Sequence, residues 1–167
     1  DADETLQAIV DAIAAAGGPQ YTAVSAVVDV EGETGGVPGG NIRNAFLYNE
    51  DRVSPVDIQT LEVNELTAFG VTDPNAFDGT RDPLLGTFEF NGEEIILINN
   101  HFSSRFGSTP IFGGPQPFVQ AGEDAREREA STMNEVVDAL LADNSEANVV
   151  VLGDLNTFEF TDELTED

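Results

Sequence analysis

The sequence has 167 residues, of which 40% are hydrophobic, so it can bury the core of about one domain. The absence of cysteine excludes disulfides, a thiolate nucleophile and a zinc–thiolate site, and no apolar run is long enough to cross a membrane. Thirty-two acidic residues against six basic ones, all arginines, give a formal net charge of -26, which excludes a broadly basic surface for nucleic acid.

This acidic balance predicts a protein of a high-salt environment, because salt screens the mutual repulsion of the carboxylates. The alternative is an acidic disordered or calcium-buffering segment, but the many Val, Ile, Leu and Phe residues argue against disorder. The sequence begins without methionine and without a charged-then-apolar leader. We therefore expect a soluble piece of a longer chain, with residues 1–167 forming one partial domain.

The first part of the sequence predicts one helix and several extended segments. Apolar residues recur at helical spacing after Asp3, the expected N-cap, until Gly-Gly-Pro at residues 17–19 ends the pattern. Pro55 suits an edge strand or a bulge. The segments expected after the helix are a strand (21–30), a loop (31–40) and two further extended segments (41–49 and 52–60).

The second part predicts a hairpin, a helix and a strand. Asn91-Gly92 separates two β-rich runs within residues 84–100 and supplies the positive φ angles of a tight turn. The loop at 103–120 is either a lid or a plain connection, and residues 149–152 are expected as a buried strand. These elements predict an α+β fold, an α/β sandwich with helices packed on mainly antiparallel or mixed β-sheets. One face of the helix between the loop and that strand is expected to carry Met133, Val136, Val137, Leu140 and Leu141.

Polar side chains stand beside apolar runs at three places, where a rigid scaffold can present reactive groups. Asn100 and His101 follow "IILI", Asp154 and Asn156 follow "VVVL", and Arg81 precedes "PLLGTF". Because residues two apart in an extended chain point the same way, Asp154 and Asn156 can face one ligand together. Asp can bind Mg²⁺ or Ca²⁺ or activate water, His can pass a proton, and Arg and Asn can donate to phosphate.

Each of these groups, taken singly, also has a purely structural explanation. Gly-Asp-x-Asn at residues 153–156 is ordinary turn chemistry, and His101 suits a structural histidine with satisfied hydrogen bonds. Arg81 beside Asp82 suits a surface ion pair of little energy. Since Asn99 and Asn100 alternate along a strand, at most one of them faces a site. The residues alone leave both explanations open.

In combination, four segments in chain order resemble the endonuclease/exonuclease/phosphatase superfamily, and within it the secreted bacterial and archaeal nucleases and the pancreatic-type deoxyribonucleases. The histidine strand "ILINNHFSSRFG" and the strand end "VVVLGDLNTF" are the more specific pair, with a predicted helix between them. The segments "AFLYNEDRVSPVD" and "FDGTRDPLLGTFEFNG" are similar to earlier strands of the family. The resemblance implies a four-layer deoxyribonuclease-like fold, incomplete here at both ends.

The resemblance also implies roles for the five polar residues. His101 is expected to contact the scissile phosphate, and Asp154 and Asn156 to organise the metal, the attacking water and the phosphate, with Asp154 as the metal ligand. Arg81 is expected to contact the nucleic-acid backbone, and Asn100 to assist in substrate binding. A divalent cation, Mg²⁺ or else Mn²⁺ or Ca²⁺, would neutralise charge during hydrolysis.

Two parts of the family pattern are missing from the sequence. The resemblance requires a metal-binding glutamate on an early strand and an Asp-His pair near the end, and neither is present. A separate difference is Asn49, which stands where pancreatic-type members carry arginine. We therefore expect a secreted, metal-dependent endonuclease acting on DNA or RNA, of which these residues alone are inactive. The alternatives are a phosphatase or phospholipase-type member of the same superfamily and a non-catalytic acidic binding module. The expected partners are nucleic acid and a divalent cation, with no membrane and no obligate protein partner.

Overall fold

The computed structural model describes residues 2–27 and 42–158. The predicted loop at 31–40 and the last residues of the predicted strand at 21–30 lie outside the described residues. No helix in the described ranges has the length and apolar character needed to cross a membrane. The elements in chain order are α1 (Ala2–Ala15), β1 (Thr22–Ser25), β2 (Ala45–Tyr48), β3 (Ser54–Thr60), α2 (Val63–Phe69), β4 (Arg81–Phe90), β5 (Glu93–His101), α3 (Glu123–Asp143) and β6 (Asn148–Asp154).

The elements form four layers, which confirms the predicted α+β sandwich. Strands β1 and β2 pair in a small antiparallel sheet, and β3, β4, β5 and β6 form a second, mixed sheet in that order. Helix α1 lies beside the small sheet, where the Ser25 hydroxyl donates to Asp3 at 2.9 Å. Helices α2 and α3 pack on the opposite face of the larger sheet. Each sheet therefore has one face towards a helix and one face towards the other sheet.

Two apolar cores hold the layers together. The core between the sheets joins Phe46 of β2 to Leu84 and Phe88 of β4, and the Phe46 and Phe88 rings meet edge to face at 5.6 Å between centroids. The core between the larger sheet and the helices is bigger and contains Ile98 of β5, which is fully buried. Its other buried members are Leu61, Leu66, Val71, Ala76, Phe77, Leu85, Phe102, Met133 and Val136.

The β4–β5 hairpin confirms the most local of the sequence predictions. Asn91 and Gly92 turn the chain with φ angles of 55° and 85°. Because Gly lacks a Cβ and Asn tolerates the left-handed region, this pair joins the two long strands at little cost. The prediction for Pro55 is confirmed as well, since it lies on the edge strand β3 at a shift of register against β4.

Helix α3 carries the chain from β5 to β6, which run parallel. The predicted strand at residues 149–152 is confirmed as part of β6, but the burial expected for its apolar run was wrong. In the described part of the chain β6 pairs with β5 alone, and the side chains of Val150 and Val151 are 43% and 42% exposed. An apolar run indicates a strand, but it does not reveal whether the strand has one neighbour or two.

Three further predictions needed correction. Asp3 lies inside the first turn of α1 rather than at its N-cap, because the helix already begins at Ala2. Leu141 lies at the margin of the apolar face of α3 and is 37% exposed. Helix α2 was not predicted, because its seven residues are too few to show a helical period.

Candidate active site

Three neighbouring strands bring Arg81, His101 and Asp154 side by side at one edge of the larger sheet. In the register of the sheet, Arg81 of β4 pairs with His101 of β5, and His101 pairs in turn with Asp154 of β6. Nε2 of His101 lies 3.7 Å from Oδ2 of Asp154, a charged pair only if the histidine is protonated. This distance is longer than a hydrogen bond. The His101 side chain is 25% exposed and that of Asp154 64%, so a ligand can reach both.

The carbonyl oxygen of Phe102 connects the three strands below this pair. It accepts one hydrogen bond from Nη2 of Arg81 at 2.6 Å and another from Nδ2 of Asn156 at 2.9 Å. The Phe102 amide donates to the carbonyl of Asp154 at 2.9 Å, which continues the β5–β6 pairing by one residue. The Phe102 ring is buried and packs 6.1 Å from Phe77. This residue therefore anchors the loop after β5 and fixes the side chains on both sides of it.

The strand end at residues 153–156 is both a turn and part of the site. The amide of Asn156 donates to Oδ1 of Asp154 at 3.0 Å, which is an Asx-turn, and Asn156 has a φ of 51°. Gly153 has a φ of 128°, and a Cβ at that position would lie 1.9 Å from the carbonyl oxygen of Asn100. The turn chemistry posed by the sequence is present, and the turn directs Asn156 back to Phe102. The part that Asp154 and Asn156 play in a reaction stays a prediction.

Asn100 points away from the other four predicted residues. Asn100 lies on the same face of β5 as Ile98, and this face packs against α3. His101 lies on the opposite face, which it shares with Asn99. Nδ2 of Asn100 donates to the carbonyls of Ile98 at 3.0 Å and Leu152 at 3.4 Å, and its side chain is buried. Within the described residues its Oδ1 has no hydrogen-bond partner. The structure thus places Asn100 as a link between β5 and β6, and its role in substrate binding stays a prediction.

Arg81 is also enclosed rather than presented to solvent, with 7% of its surface exposed. Burial lowers the pKa of its guanidinium below the ordinary value, while the carboxylates of Glu129 and Asp154 raise it. The group still carries a positive charge at neutral pH. The structure brings Arg81 to the site, where its charge acts on its neighbours, and contact with a substrate backbone stays a prediction.

The electrostatics of the site keep His101 neutral. Burial lowers the pKa of its imidazole below 6.5, and the nearby positive charge of Arg81 lowers it further, while Asp154 raises it. At neutral pH a group with this pKa has one nitrogen that donates and one that accepts.

A buried ionic cluster behind the site was missed by the sequence analysis. Glu129 of α3 is fully buried, and its two oxygens accept from the amide of Ser103 at 2.8 Å and from its hydroxyl at 2.6 Å. Arg126, one turn earlier, is fully buried too and donates to the carbonyl of Ala121 at 2.9 Å. Burial raises the pKa of Glu129, against the lowering effects of the Ser103 hydrogen bonds, of Arg81 and of Arg126. This cluster ties α3 to the loop that begins at Phe102.

A signal for this cluster was present in the sequence. Arg126, Glu129, Met133 and Val136 follow one another at spacings of three and four, so they lie on one stripe of the helix. Charged residues in line with the apolar face indicate buried ionic groups, but only the apolar residues of that face were predicted to be on it.

The donor set suits a divalent cation only in part. Mg²⁺ is commonly held by one or two carboxylates with water and substrate phosphates completing the shell, and the exposed Asp154 carboxylate fits that chemistry. Among residues 2–27 and 42–158, no group of three or more His, Cys, Asp or Glu side chains is arranged to hold a metal ion. Asp154 is therefore one expected ligand within an incomplete set.

Comparison with protein families gives one match. The sequence model described as "Endonuclease/Exonuclease/phosphatase family" matches residues 40–167, which include every residue of the site. No curated protein matches the sequence.

Comparison with solved structures gives the same fold. The catalytic domain of human Nocturnin with bound sulfate anion aligns with a TM-score of 0.55 and 12% identity over 87% of this chain and 46% of that one. Humanized D. rerio TDP2 carrying 14 mutations aligns with a TM-score of 0.53 and 13% identity over 87% and 43%. An endonuclease/exonuclease/phosphatase from Bacteroides vulgatus aligns with a TM-score of 0.55 and 18% identity over 87% of this chain and 47% of that one. The chain spans less than half the length of these three structures, and the likeness confirms the predicted deoxyribonuclease-like fold.

Proposed function

Because the chain belongs to the endonuclease/exonuclease/phosphatase family, we propose that His101, Asp154 and Asn156 are part of a site that hydrolyses phosphodiester bonds of DNA or RNA with the help of a divalent cation. The observation that carries this proposal is the pairing of His101 with Asp154 on adjacent strands, with 3.7 Å between Nε2 and Oδ2 and both side chains open to a ligand. An imidazole and a carboxylate at this distance can contact the same phosphate and its attacking water.

Each residue has a distinct part in the proposed reaction. The neutral imidazole of His101 donates a hydrogen bond to a phosphate oxygen. As the water oxygen bonds to phosphorus, the water gives its proton to the Asp154 carboxylate; the bond from phosphorus to the leaving oxygen breaks, and that oxygen takes a proton from solvent. The Asp154 carboxylate orients the attacking water and binds the cation, which would supply charge neutralisation at the phosphate when bound. Arg81 and Asn156 hold the Phe102 carbonyl from opposite sides, and Arg81 adds its positive charge close to the place where phosphate charge develops. Arg81 and Asn156 are thus positioning residues in this proposal.

The parts of the family pattern that are missing bear on activity. The sequence contains one histidine, so the Asp-His pair implied by the resemblance cannot come from these residues. We also propose that the 167 residues alone turn over phosphodiesters far more slowly than a complete nuclease. The net charge of -26 with no lysine supports a high-salt environment. Secretion, which rests on the resemblance to secreted nucleases, is part of the same proposal.

A non-catalytic acidic binding module is the second candidate. It is favoured by the incomplete donor set in the described ranges, where Asp154 is not joined by two further metal-binding side chains. A phosphatase or phospholipase-type activity would use the same His101 and Asp154 on another phosphate ester.

The test compares substrates in the full-length natural protein with Mg²⁺ or Mn²⁺ in molar salt. The substrates are plasmid DNA, single-stranded RNA, an inositol phosphate and sphingomyelin vesicles. The proposal predicts cleavage of nucleic acid and its loss on chelation of the metal. Cleavage of inositol phosphate alone would indicate a phosphatase, and cleavage of sphingomyelin alone would indicate a phospholipase-type enzyme. A folded protein that cleaves none of the four would favour the binding module.

A further inference from the structure

Two phenylalanines on the loop between β5 and α3 are exposed almost completely. Phe106 is 94% exposed and Phe112 is 99% exposed, whereas Phe102 of the same loop is 2% exposed. Burying either ring against a ligand would be favourable, and two such rings on one loop offer apolar surface to a partner.

The loop that carries the two rings has a defined internal structure. The amide of Thr109 donates to the carbonyl of Val119 at 3.0 Å, and the Thr109 hydroxyl accepts from the Val119 amide at 2.8 Å. The Gln116 side chain donates to the carbonyls of Ile111 and Gly113 at 3.0 and 3.1 Å. The exposure of Phe106 and Phe112 therefore belongs to a loop whose two limbs are bridged, not to a segment without contacts.

The loop also begins within the site. Phe106 follows the Phe102 carbonyl, which binds Arg81 and Asn156, by four residues, so the two backbones are at most about 14 Å apart. Next to Phe106, the guanidinium of Arg105 lies 4.3 Å from the centre of the Phe158 ring, two residues beyond Asn156. Arg105 and Phe106 therefore lie next to the segment that follows Asn156.

The charge of the protein decides which kind of contact can hold a polyanion here. Of the six arginines, Arg81 and Arg126 are buried, and Arg128 forms an ion pair with Asp73 at 2.7 Å. Arg43 lies 4.0 Å from Asp3, and Arg52 lies 5.8 Å from the centre of the Phe90 ring. Because Arg105 is the one arginine among residues 103–120, counterion release from phosphates contributes little to binding by this loop. Stacking of a base on an aromatic ring needs no basic surface, and every base has a π-face.

We propose that Phe106 and Phe112 form a stacking platform for unpaired nucleobases, with Arg105 beside it for the strand's backbone. The inference rests on the proposed function and deepens it, because it assigns to that site a preference for stretches of nucleic acid whose bases are unpaired. A single strand offers its bases to the platform, whereas an intact duplex keeps them stacked on one another. Binding is then retained in molar salt, since stacking is much less sensitive to salt than phosphate contacts.

The absence of tryptophan from the sequence provides a local test. Phe106→Trp and Phe112→Trp each introduce an indole into a segment that has none, and the emission of the unsubstituted full-length protein is subtracted. Val56→Trp, on the exposed edge strand β3, is the matched control. The full-length protein carrying each change is titrated in molar salt with chelator present, so that no hydrolysis is required. The probes are a short oligothymidylate, an abasic strand of the same length, a blunt duplex and sphingomyelin vesicles.

The expected result is that oligothymidylate quenches the emission at positions 106 and 112, and that the abasic strand and the duplex do so at least about tenfold more weakly. The indole at position 56 should not respond. Phe106→Ala should weaken binding of oligothymidylate about tenfold, and Phe106→Tyr should restore it, because the tyrosine ring stacks as well.

Equal quenching by the abasic strand would overturn the proposal in favour of phosphate contacts alone. No response to oligothymidylate, or a response to vesicles only, would overturn it as well, the latter in favour of a membrane surface. Because binding is read without metal, stacking with no cleavage would reject the proposed hydrolysis and leave the platform standing. Cleavage without stacking would reject the platform and leave the proposed hydrolysis standing.

Discussion

Arg81 and Asn156 donate hydrogen bonds to the same acceptor, the carbonyl oxygen of Phe102, at 2.6 and 2.9 Å. The two residues are far apart in the sequence and lie on either side of β5. Their shared acceptor couples the positions of β4, the loop after β5 and the turn after β6. The placement of His101 opposite Asp154 therefore depends on groups that do not themselves contact a substrate in the proposed reaction.

Asn156 contributes through its hydrogen bond and through its backbone conformation, and the two effects can be separated. Its φ of 51° suits Asn and Gly but not Ala. We expect Asn156→Gly to lower the free energy of unfolding by about 1 kcal/mol through loss of the bond to Phe102. Asn156→Ala should cost about 1 kcal/mol more, because it adds strain at φ. Chemical denaturation measures both, and equal losses would show that the conformation is not strained for Ala.

Gly153 is required by the close approach of β5 and β6. A Cβ there would lie 1.9 Å from the Asn100 carbonyl oxygen, and a backbone atom cannot move aside as a side chain can. Gly153→Ala should lower the free energy of unfolding by about 3 kcal/mol or more. The control is Gly92→Ala, where φ is also positive but no atom lies within 4 Å, and where about 1 to 2 kcal/mol is expected. Similar losses at both positions would contradict the predicted clash.

Glu129 balances buried positive charge behind the site. Glu129→Gln keeps the shape but loses the charge that faces Arg81 and Arg126, and its amide nitrogen cannot accept from Ser103. We expect a loss of about 3 kcal/mol, because breaking a buried ionic cluster leaves charges uncompensated. Glu127→Gln, on the exposed side of the same helix, should change stability by less than about 0.5 kcal/mol. A Glu129→Gln protein as stable as the control would show that the cluster carries little energy.

His101 is the only histidine, so its titration can be followed without assignment. Its pKa is expected below 6.5, and Asp154→Asn should lower it further by removing the charge that raises it. Because the unfolded chain takes up this proton at a higher pH than the folded chain, His101's contribution to the free energy of unfolding falls as pH drops from 6.5 through the lower folded pKa. Imidazole NMR signals measure the midpoint. A His101 pKa above 6.5 would show that burial is not the main influence on this group.

The parts of the fold that were predictable from sequence are those set by local chemistry. Asn91-Gly92 fixes a tight turn through its own φ angles, and Pro55 lacks the amide that a central strand needs, so neither depends on distant contacts. Asp154 and Asn156 are similar, since an Asx-turn is encoded within three residues. His101 was found by its place at a strand end together with the family resemblance.

Features set by tertiary context were not predictable. The burial of Arg126 and Glu129 depends on contacts with residues outside α3, such as Ser103 and Arg81. The sequence of the helix alone does not reveal those contacts. The direction of Asn100 follows from which face of β5 meets α3, and the sequence leaves that choice open. The exposure of Val150 likewise depends on how many strands pair with β6.

The central claim is that His101 and Asp154 form a phosphodiester hydrolysis site, and nicking of plasmid DNA tests it most directly. The full-length natural protein is assayed with Mg²⁺ in molar salt beside its Asp154→Asn, His101→Gln and Glu127→Gln versions, all checked for native circular dichroism. The account predicts nicking by the natural and Glu127→Gln proteins and a loss of at least about a hundredfold in the other two. Nicking by folded Asp154→Asn and His101→Gln proteins at the natural rate would contradict it.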